Sequence, residues 1–280
     1  MTIATENYLV RQSRRLARIA AHPATAWERF YDRIDRRIEY ARSACTYFPD
    51  PEWETRLHRR LGIASACDTA AEFAEVWSRV AALFEARHRR FGPEGYLGWN
   101  DGDPEFVRAV WCLVRHTQPE IVVETGVGRG VTTRFILEAM ERNGCGLLYS
   151  IDLPPNDPDA ATEIGFAVAG VAPQRWHLLR GSSRQFLPGL LAGLGTIDLF
   201  VHDSLHSRRN VCFEANAARR RLRPGGAIVV DDIDTNWGFR QLMDAANGDE
   251  YVVCQSRPVV PDRRRFDDCG LFGVIFAGTP

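Results

Sequence analysis

From Ile121 to Val230 one pattern repeats along the chain: a short run of consecutive apolar residues, then a stretch long enough for a helix. The runs are Ile121-Val122-Val123, Leu147 to Ile151, Trp176 to Leu179, Ile197 to Val201 and Ala227 to Val230. Helical stretches such as Thr132 to Arg142 and Asn210 to Leu222 lie between them. A strand that is apolar at every position has no side to offer to water, so both faces of its sheet must be covered. Such strands, separated by helices, predict a doubly wound, mostly parallel α/β sheet. Two later runs, Tyr251 to Cys254 and Leu271 to Phe276, bring the count to seven strands. The Pro/Arg/Asp-rich segment Arg257 to Asp268 between those two predicts an antiparallel return.

The residues before this alternation read as helices. Trp27, Phe30, Tyr31, Ile34, Ile38 and Ala41 recur at helical spacing, opposite Glu28, Arg29, Asp32, Arg33, Arg36 and Arg37. A second helix is predicted from Thr69, with Glu72 completing a capping box, to a stop at Gly92-Pro93. Its apolar face is Phe73, Val76, Trp77, Val80 and Phe84. A third begins at Asp103-Pro104 and ends before Pro119. The aromatic stripes are read as packing. The division expected is a helical N-terminal extension over 1–115, serving as substrate cover or oligomerisation element, and a ligand-binding sheet domain over 116–280.

Composition narrows the classes. The 280 residues carry a formal net charge of −1, with arginines interleaved among acids, which argues against bulk nucleic-acid binding. No apolar run reaches the length of a membrane span, and the first residues lack a secretory apolar stretch, so a cytoplasmic protein is expected. The partners expected are a small molecule and a second copy of the chain, with no nucleic acid and no membrane. All 35 basic residues are arginine, so no lysine can act as a base. The seven cysteines, Cys45, Cys67, Cys112, Cys145, Cys212, Cys254 and Cys269, form no CxxC pair and are expected to be buried reduced thiols.

Glu124-Thr125-Gly126-Val127-Gly128-Arg129-Gly130 follows the first strand and opens a helix. Glycines there let the backbone approach a ligand, and the helix start offers free N–H groups. The second strand ends in Asp152, placed to accept the ribose hydroxyls of a nucleoside. A dinucleotide fingerprint would place its third glycine one residue later than Gly130, and a phosphate-binding Walker loop would need lysine. The fourth strand ends in His202-Asp203-Ser204-Leu205-His206 and the fifth in Asp231-Asp232. Neighbouring strands lie about 4.8 Å apart, so Asp203 and Asp231 could share a site. Clustered carboxylates repel, and a divalent cation such as Mg²⁺ relieves that conflict. Successive strand residues face opposite ways, so Asp231 and Asp232 reach one ion only if the chain turns there. Otherwise one of them is a helix cap or a surface group.

The Glu-x-Gly-x-Gly-x-Gly turn resembles the first motif of class I S-adenosylmethionine-dependent methyltransferases. Asp203 with His206 three residues on, and Asp231-Asp232 after Arg223-Pro224-Gly225-Gly226, resemble the metal-dependent O-methyltransferases of the catechol and the macrocin and novobiocin types. The resemblance spans roughly residues 115 to 277 and implies the Rossmann-like methyltransferase fold. It implies a cofactor site at Glu124, Thr125, Gly126, Gly128, Asp152, Ser182, Ser183 and Asp203, with Glu124 toward the methionine part and the two serines near the adenine. It implies Mg²⁺ or another divalent cation on Asp203, Asp231 and Asp232. His206 stands where the catechol-type enzymes carry a lysine base. It is expected to take the acceptor's proton, or else to cap a helix or stand behind the ligands. His202 is expected behind the metal acid. The reaction implied is O-methylation of a small-molecule hydroxyl on a natural product, catechol or sugar-like diol. The alternatives are a metal-independent methyltransferase, an enzyme using the cofactor for other chemistry, and a non-catalytic binding module. The loop Pro154 to Pro158, the segment after Asp232 with Trp237, and Arg257 to Asp268 are expected to line the acceptor site, for an aromatic or anionic molecule.

Overall fold

The computed structural model describes residues 23–40, 47–63, 67–92, 95–97, 99–245, 249–256 and 270–278. Four helices precede the sheet among these residues: α1 (Pro23–Tyr40), α2 (Trp53–Arg60), α3 (Ala70–Ala86) and α4 (Pro104–Thr117). Then come β1 (Ile121–Thr125), α5 (Val131–Asn143), β2 (Leu147–Asp152), α6 (Pro158–Thr162), β3 (Trp176–Arg180), α7 (Ser183–Leu194) and β4 (Ile197–His202). The chain continues through α8 (Arg208–Arg219), β5 (Leu222–Val230), α9 (Gly238–Asp244), β6 (Glu250–Gln255) and β7 (Leu271–Phe276).

The seven strands form one sheet in the order β3-β2-β1-β4-β5-β7-β6. The first five pair in parallel, as the apolar runs predicted; β6 and β7 are antiparallel as expected, with β7 inserted between β5 and β6. The strand order reverses beside β1, and α/β sheets bind ligands beyond the strand carboxyl ends at such a point. Glu124, Asp152 and His202 are the last or next-to-last residues of β1, β2 and β4, so the sheet carries them to that edge.

Alternation along the strands builds two cores. Val122, Leu148, Leu199, Val201 and Val229 pack on one face with Phe84, Trp111 and Phe135. Val123, Ile151, Phe200, Ile228 and Val230 pack on the other with Leu187, Val211 and Phe239. Side chains two apart share a face, which is why consecutive apolar residues fill both layers. Helices α2, α3 and α4 share the sheet's core: Trp53, Leu57, Val76, Val80 and Val110 belong to the first of these clusters.

Four local readings need correction. Thr69 precedes α3 without capping it; its hydroxyl accepts from the Trp111 indole N–H instead. That helix ends at Ala86, short of Gly92, with His88 in the left-handed region beyond it. The helix read to Leu222 stops at Arg219, and Leu222 opens β5 because it pairs with Ile197. The stripe on α1 was expected to pack, yet Trp27 is 61% exposed and Phe30, Tyr31, Ile34 and Ile38 are exposed with it. The readings on residues 1–22, on Ala41, on Cys45 and Cys269, and on Arg257 to Asp268 lie outside the described residues. No described helix is long and apolar enough to cross a membrane.

Candidate active site

The glycine turn after β1 interlocks with the turn after β4. Gly126 has φ 85°, and a Cβ there would sit 1.8 Å from the Asp203 carbonyl oxygen, so only glycine fits. The Asp203 N–H donates to the Thr125 carbonyl at 2.8 Å. Gly128, also at positive φ, leaves an open approach toward the Tyr96 ring, 3.8 Å from its would-be Cβ. Arg129 leaves the turn for the N-terminal half, where its Nε donates to Asp101 at 2.6 Å.

Asp152 Oδ2 accepts the N–H groups of Val127 and Gly128 at 2.7 and 2.8 Å, fixing the turn. Burial raises its carboxyl above the ordinary range, against the pull of those two amides. Both of those bonds fall on Oδ2 and neither on Oδ1. Glu124 is fully buried, with Oε2 accepting from Thr133 Oγ1 at 2.8 Å and Ser150 Oγ at 2.7 Å. Its Oε1 is buried with no hydrogen-bond partner among the described residues. Burial pushes Glu124 up to about 7, the two hydroxyls opposing and Asp152 adding. A buried acceptor left open is what an incoming ammonium group satisfies.

Three residues expected at the cofactor have their side chains turned elsewhere. Thr125 Oγ1 donates to Glu214 Oε2 at 2.5 Å. Ser182 caps α7, accepting the Gln185 N–H at 3.2 Å. The Ser183 hydroxyl bonds Glu214. The reason is shared: the sheet edge needs its own polar groups satisfied before it can hold anything else.

Glu214, absent from the sequence-based site, is the hub of that arrangement. It lies fully buried on α8 and accepts from His202 Nδ1 at 2.6 Å, from Ser204 Oγ at 3.0 Å and from Asn210 Nδ2 at 2.8 Å, besides the two hydroxyls above. Burial alone would raise its carboxyl; His202 and the other donors outweigh it and hold Glu214 at about 2. One signal was present in the sequence. Val211, Glu214, Ala215 and Ala218 share a helical face, and an acid in an apolar stripe needs partners. His202 thus stands behind Asp203, as expected, with its ring edge-on to His206 at 5.6 Å.

Beyond the hub lie the acids. Asp203, His206 and Asp231 offer ligand atoms all within 4.8 Å of one another. His206 Nε2 lies 3.8 Å from Asp203 Oδ1 and 3.6 Å from Asp232 Oδ2. Asp232 has φ 49°, in the left-handed region that aspartate tolerates, so the chain does turn between the paired acids. Asp231 thereby joins Asp203 and His206, while Asp232, outside that trio, approaches only His206. Burial raises Asp203 well above the carboxylate range, with Glu124, Asp103 and Asp152 adding and a bond from Asp231 opposing. Carboxyls that share a proton in this way are a donor set a divalent cation could take over. Trp237, the residue before α9, is 38% exposed.

Residues 123–233 match the family model described as a methyltransferase domain. A protein named as an O-methyltransferase in Mycobacteroides abscessus is 32% identical over 171 residues, covering 61% of this chain and 75% of the relative. One so named in Mycolicibacterium vanbaalenii is 35% identical over 128 residues, covering 44% of this chain and 52% of its own length. Among solved structures, the O-methyltransferase TomG of Streptomyces achromogenes, in complex with S-adenosylmethionine, aligns with TM-score 0.52 at 16% identity, over 83% of this chain and all of its own. An O-methyltransferase from Klebsiella pneumoniae gives 0.51 at 19%, over 81% of this chain and 98% of its own. At these identities the solved structures speak for the fold.

Proposed function

This chain belongs to the class I S-adenosylmethionine-dependent O-methyltransferases, and from that membership we propose that it methylates a small-molecule hydroxyl with the help of a divalent cation held by Asp203, Asp231 and Asp232. The observation that carries the proposal is the meeting of Asp203, Asp231 and His206 beside the glycine turn, with Asp232 Oδ2 3.6 Å from the His206 ring nitrogen. S-adenosylmethionine, when bound, supplies an activated methyl group. A cation on the acids would lower the pKa of an acceptor hydroxyl. The rest falls to the chain. Glu124 receives the cofactor's ammonium on Oε1, and Asp152 orients the ribose. The Gly126 turn and the β4 turn hold donor and acceptor in line, an alignment that supplies several kcal/mol of the barrier, on the order of 7–11 at most. His206 takes the acceptor proton.

An acceptor with two adjacent oxygens suits a cation that keeps positions open, which favours a catechol, a vicinal diol or a natural product carrying either. Arg29 on α1 hydrogen-bonds Asn156 and the Pro154 carbonyl of the loop after β2. That contact supports a covering role for α1, whose exposed aromatics suit an aromatic acceptor.

A second reading follows from the same distances: His206 is itself a ligand, which would favour a cation more tolerant of imidazole than Mg²⁺. His206→Ala separates the two. As a base, its loss slows kcat by about 10²–10⁴ with the metal concentration for half-maximal rate unchanged. As a ligand, its loss raises that metal concentration instead. A His206→Ala enzyme with unaltered rate and metal response would remove the residue from the chemistry, and activity indifferent to a strong chelator would remove the cation.

A further inference from the structure

The N-terminal helices enclose a second set of metal-ligating side chains that the methyl-transfer site does not use. His58 on α2, Cys67 just before α3, and Cys112 on α4 are all buried, and their ligand atoms lie within 4.8 Å of one another. Cys67 Sγ is 3.6 Å from Cys112 Sγ, and Cys112 Sγ is 3.7 Å from His58 Nε2. On the other side of Cys67, His116 Nε2 lies at 3.2 Å. Cys112 and His116 are four residues apart, one turn of α4, and so face the same way. We propose that His58, Cys67 and Cys112 form a structural Zn²⁺ site, with His116, 3.2 Å from Cys67 but outside that triple, placed to complete it by a small shift of its ring.

The spacing suits that ion. Four ligands at tetrahedral corners, with Zn–S about 2.3 Å and Zn–N about 2.0 Å, stand roughly 3.3–3.8 Å from one another. The Cys67–Cys112 and Cys112–His58 separations fall in that range before any ion has drawn the groups together. Sulfur and imidazole donors select Zn²⁺ over Mg²⁺, so this site and the acid cluster would not compete for one metal. Asp68, 3.7 Å from His116 Nε2 and exposed, stays outside the set. Thr69 Oγ1 lies 3.0 Å from Cys67 Sγ and is itself held by Trp111 Nε1, so the loop sulfur is already oriented. In the metal-free protein the bond from Cys112 is the largest influence on the Cys67 thiol. It outweighs burial, is reinforced by Thr69 and His116, and brings Cys67 to about 4. On binding, the remaining thiol proton is released to solvent and each sulfur donates a lone pair to the ion. The consequence is mechanical: α2, α4 and the segment entering α3 are tied together on the sheet face they cover.

The full chain, purified under reducing conditions, tests this directly. Zn²⁺ measured by mass spectrometry is expected at about one equivalent per chain. Replacing it with Co²⁺ is expected to give a sulfur-to-cobalt charge-transfer band in the near ultraviolet, which the oxygen ligands of the acid cluster cannot produce. Cys67→Ser and Cys112→Ser are expected to lose the band and the equivalent of metal, while Cys145→Ser, Cys212→Ser and Asp203→Ala keep both. The wild-type spectrum stands whether or not the variants fold. Reduced wild-type protein that takes up neither ion overturns the proposal, as does a band that persists in the Cys67→Ser/Cys112→Ser double variant. A protein two mass units light with both thiols blocked would make the pair a disulfide and overturn it equally.

Discussion

Glu124 and Glu214 are the same residue type, equally buried, at the same edge of one sheet, and their surroundings drive them in opposite directions. Glu214 is met by three hydroxyls, an amide and an imidazole, and is held at about 2. Glu124 is met by two hydroxyls on one oxygen only, and burial pushes it to about 7. A buried carboxylate whose lone pairs are all matched is part of the scaffold; one left half matched awaits a partner. The difference separates the frame of the site from its working surface without reference to any relative.

The comparison is most exposed to Glu214→Ala. It strips the partner from His202 and leaves the Thr125, Ser204 and Asn210 donors unmatched, so stability to denaturant should fall by about 3–5 kcal/mol. A loss under about 1 kcal/mol would show that the hub is not holding the frame. Acid should act through the same group. Its folded value lies below the ordinary 4.5, so its contribution is full above that pH and is lost as pH falls toward 2. Glu124→Gln should do the reverse: stability unchanged or slightly raised, and affinity for S-adenosylhomocysteine down by about 10–100-fold in calorimetric titration, the worth of a charge-assisted bond.

The pH dependence of cofactor affinity sharpens the contrast. Glu124 is raised, so its neutral form stabilises the free protein at low pH and that contribution disappears as pH rises through about 7. Cofactor affinity should therefore climb by up to about tenfold per unit below pH 7 and level off above it, with Glu124→Gln flat throughout. Thr133→Val gives the smallest effect. Removing one hydroxyl from Oε2 should move the midpoint upward by about half a unit to one unit, the equivalent of one ordinary hydrogen bond. A midpoint that stays put would mean Glu124 is not the group observed.

How much of this was legible in the chain follows from range. Strands β1 to β5 and the turn at Gly126 could be read because consecutive apolar residues and a glycine after a strand are local signals. The acids at Asp203, Asp231 and Asp232 could be read for the same reason, each following a strand. Which way the last two point depended on φ at Asp232, which no neighbour in sequence dictates. The hydroxyls of Ser182 and Ser183 could not be placed from sequence, because a serine before a helix serves a cap as readily as a ligand and the second one's bond to Glu214 is tertiary. The thiols of Cys67 and Cys112 are separated by most of two helices, so their meeting belongs to tertiary structure, although the Cys112-x-x-x-His116 spacing on one helix was a clue. The stripe on α1 misled because periodicity shows which side of a helix is apolar, not what lies against it.

The absence of a single carbon at Gly126 has a consequence beyond its own turn. With the Asp203 carbonyl occupying the place a methyl would take, the turn after β1 and the turn after β4 are in direct contact, so neither can drift without carrying the other.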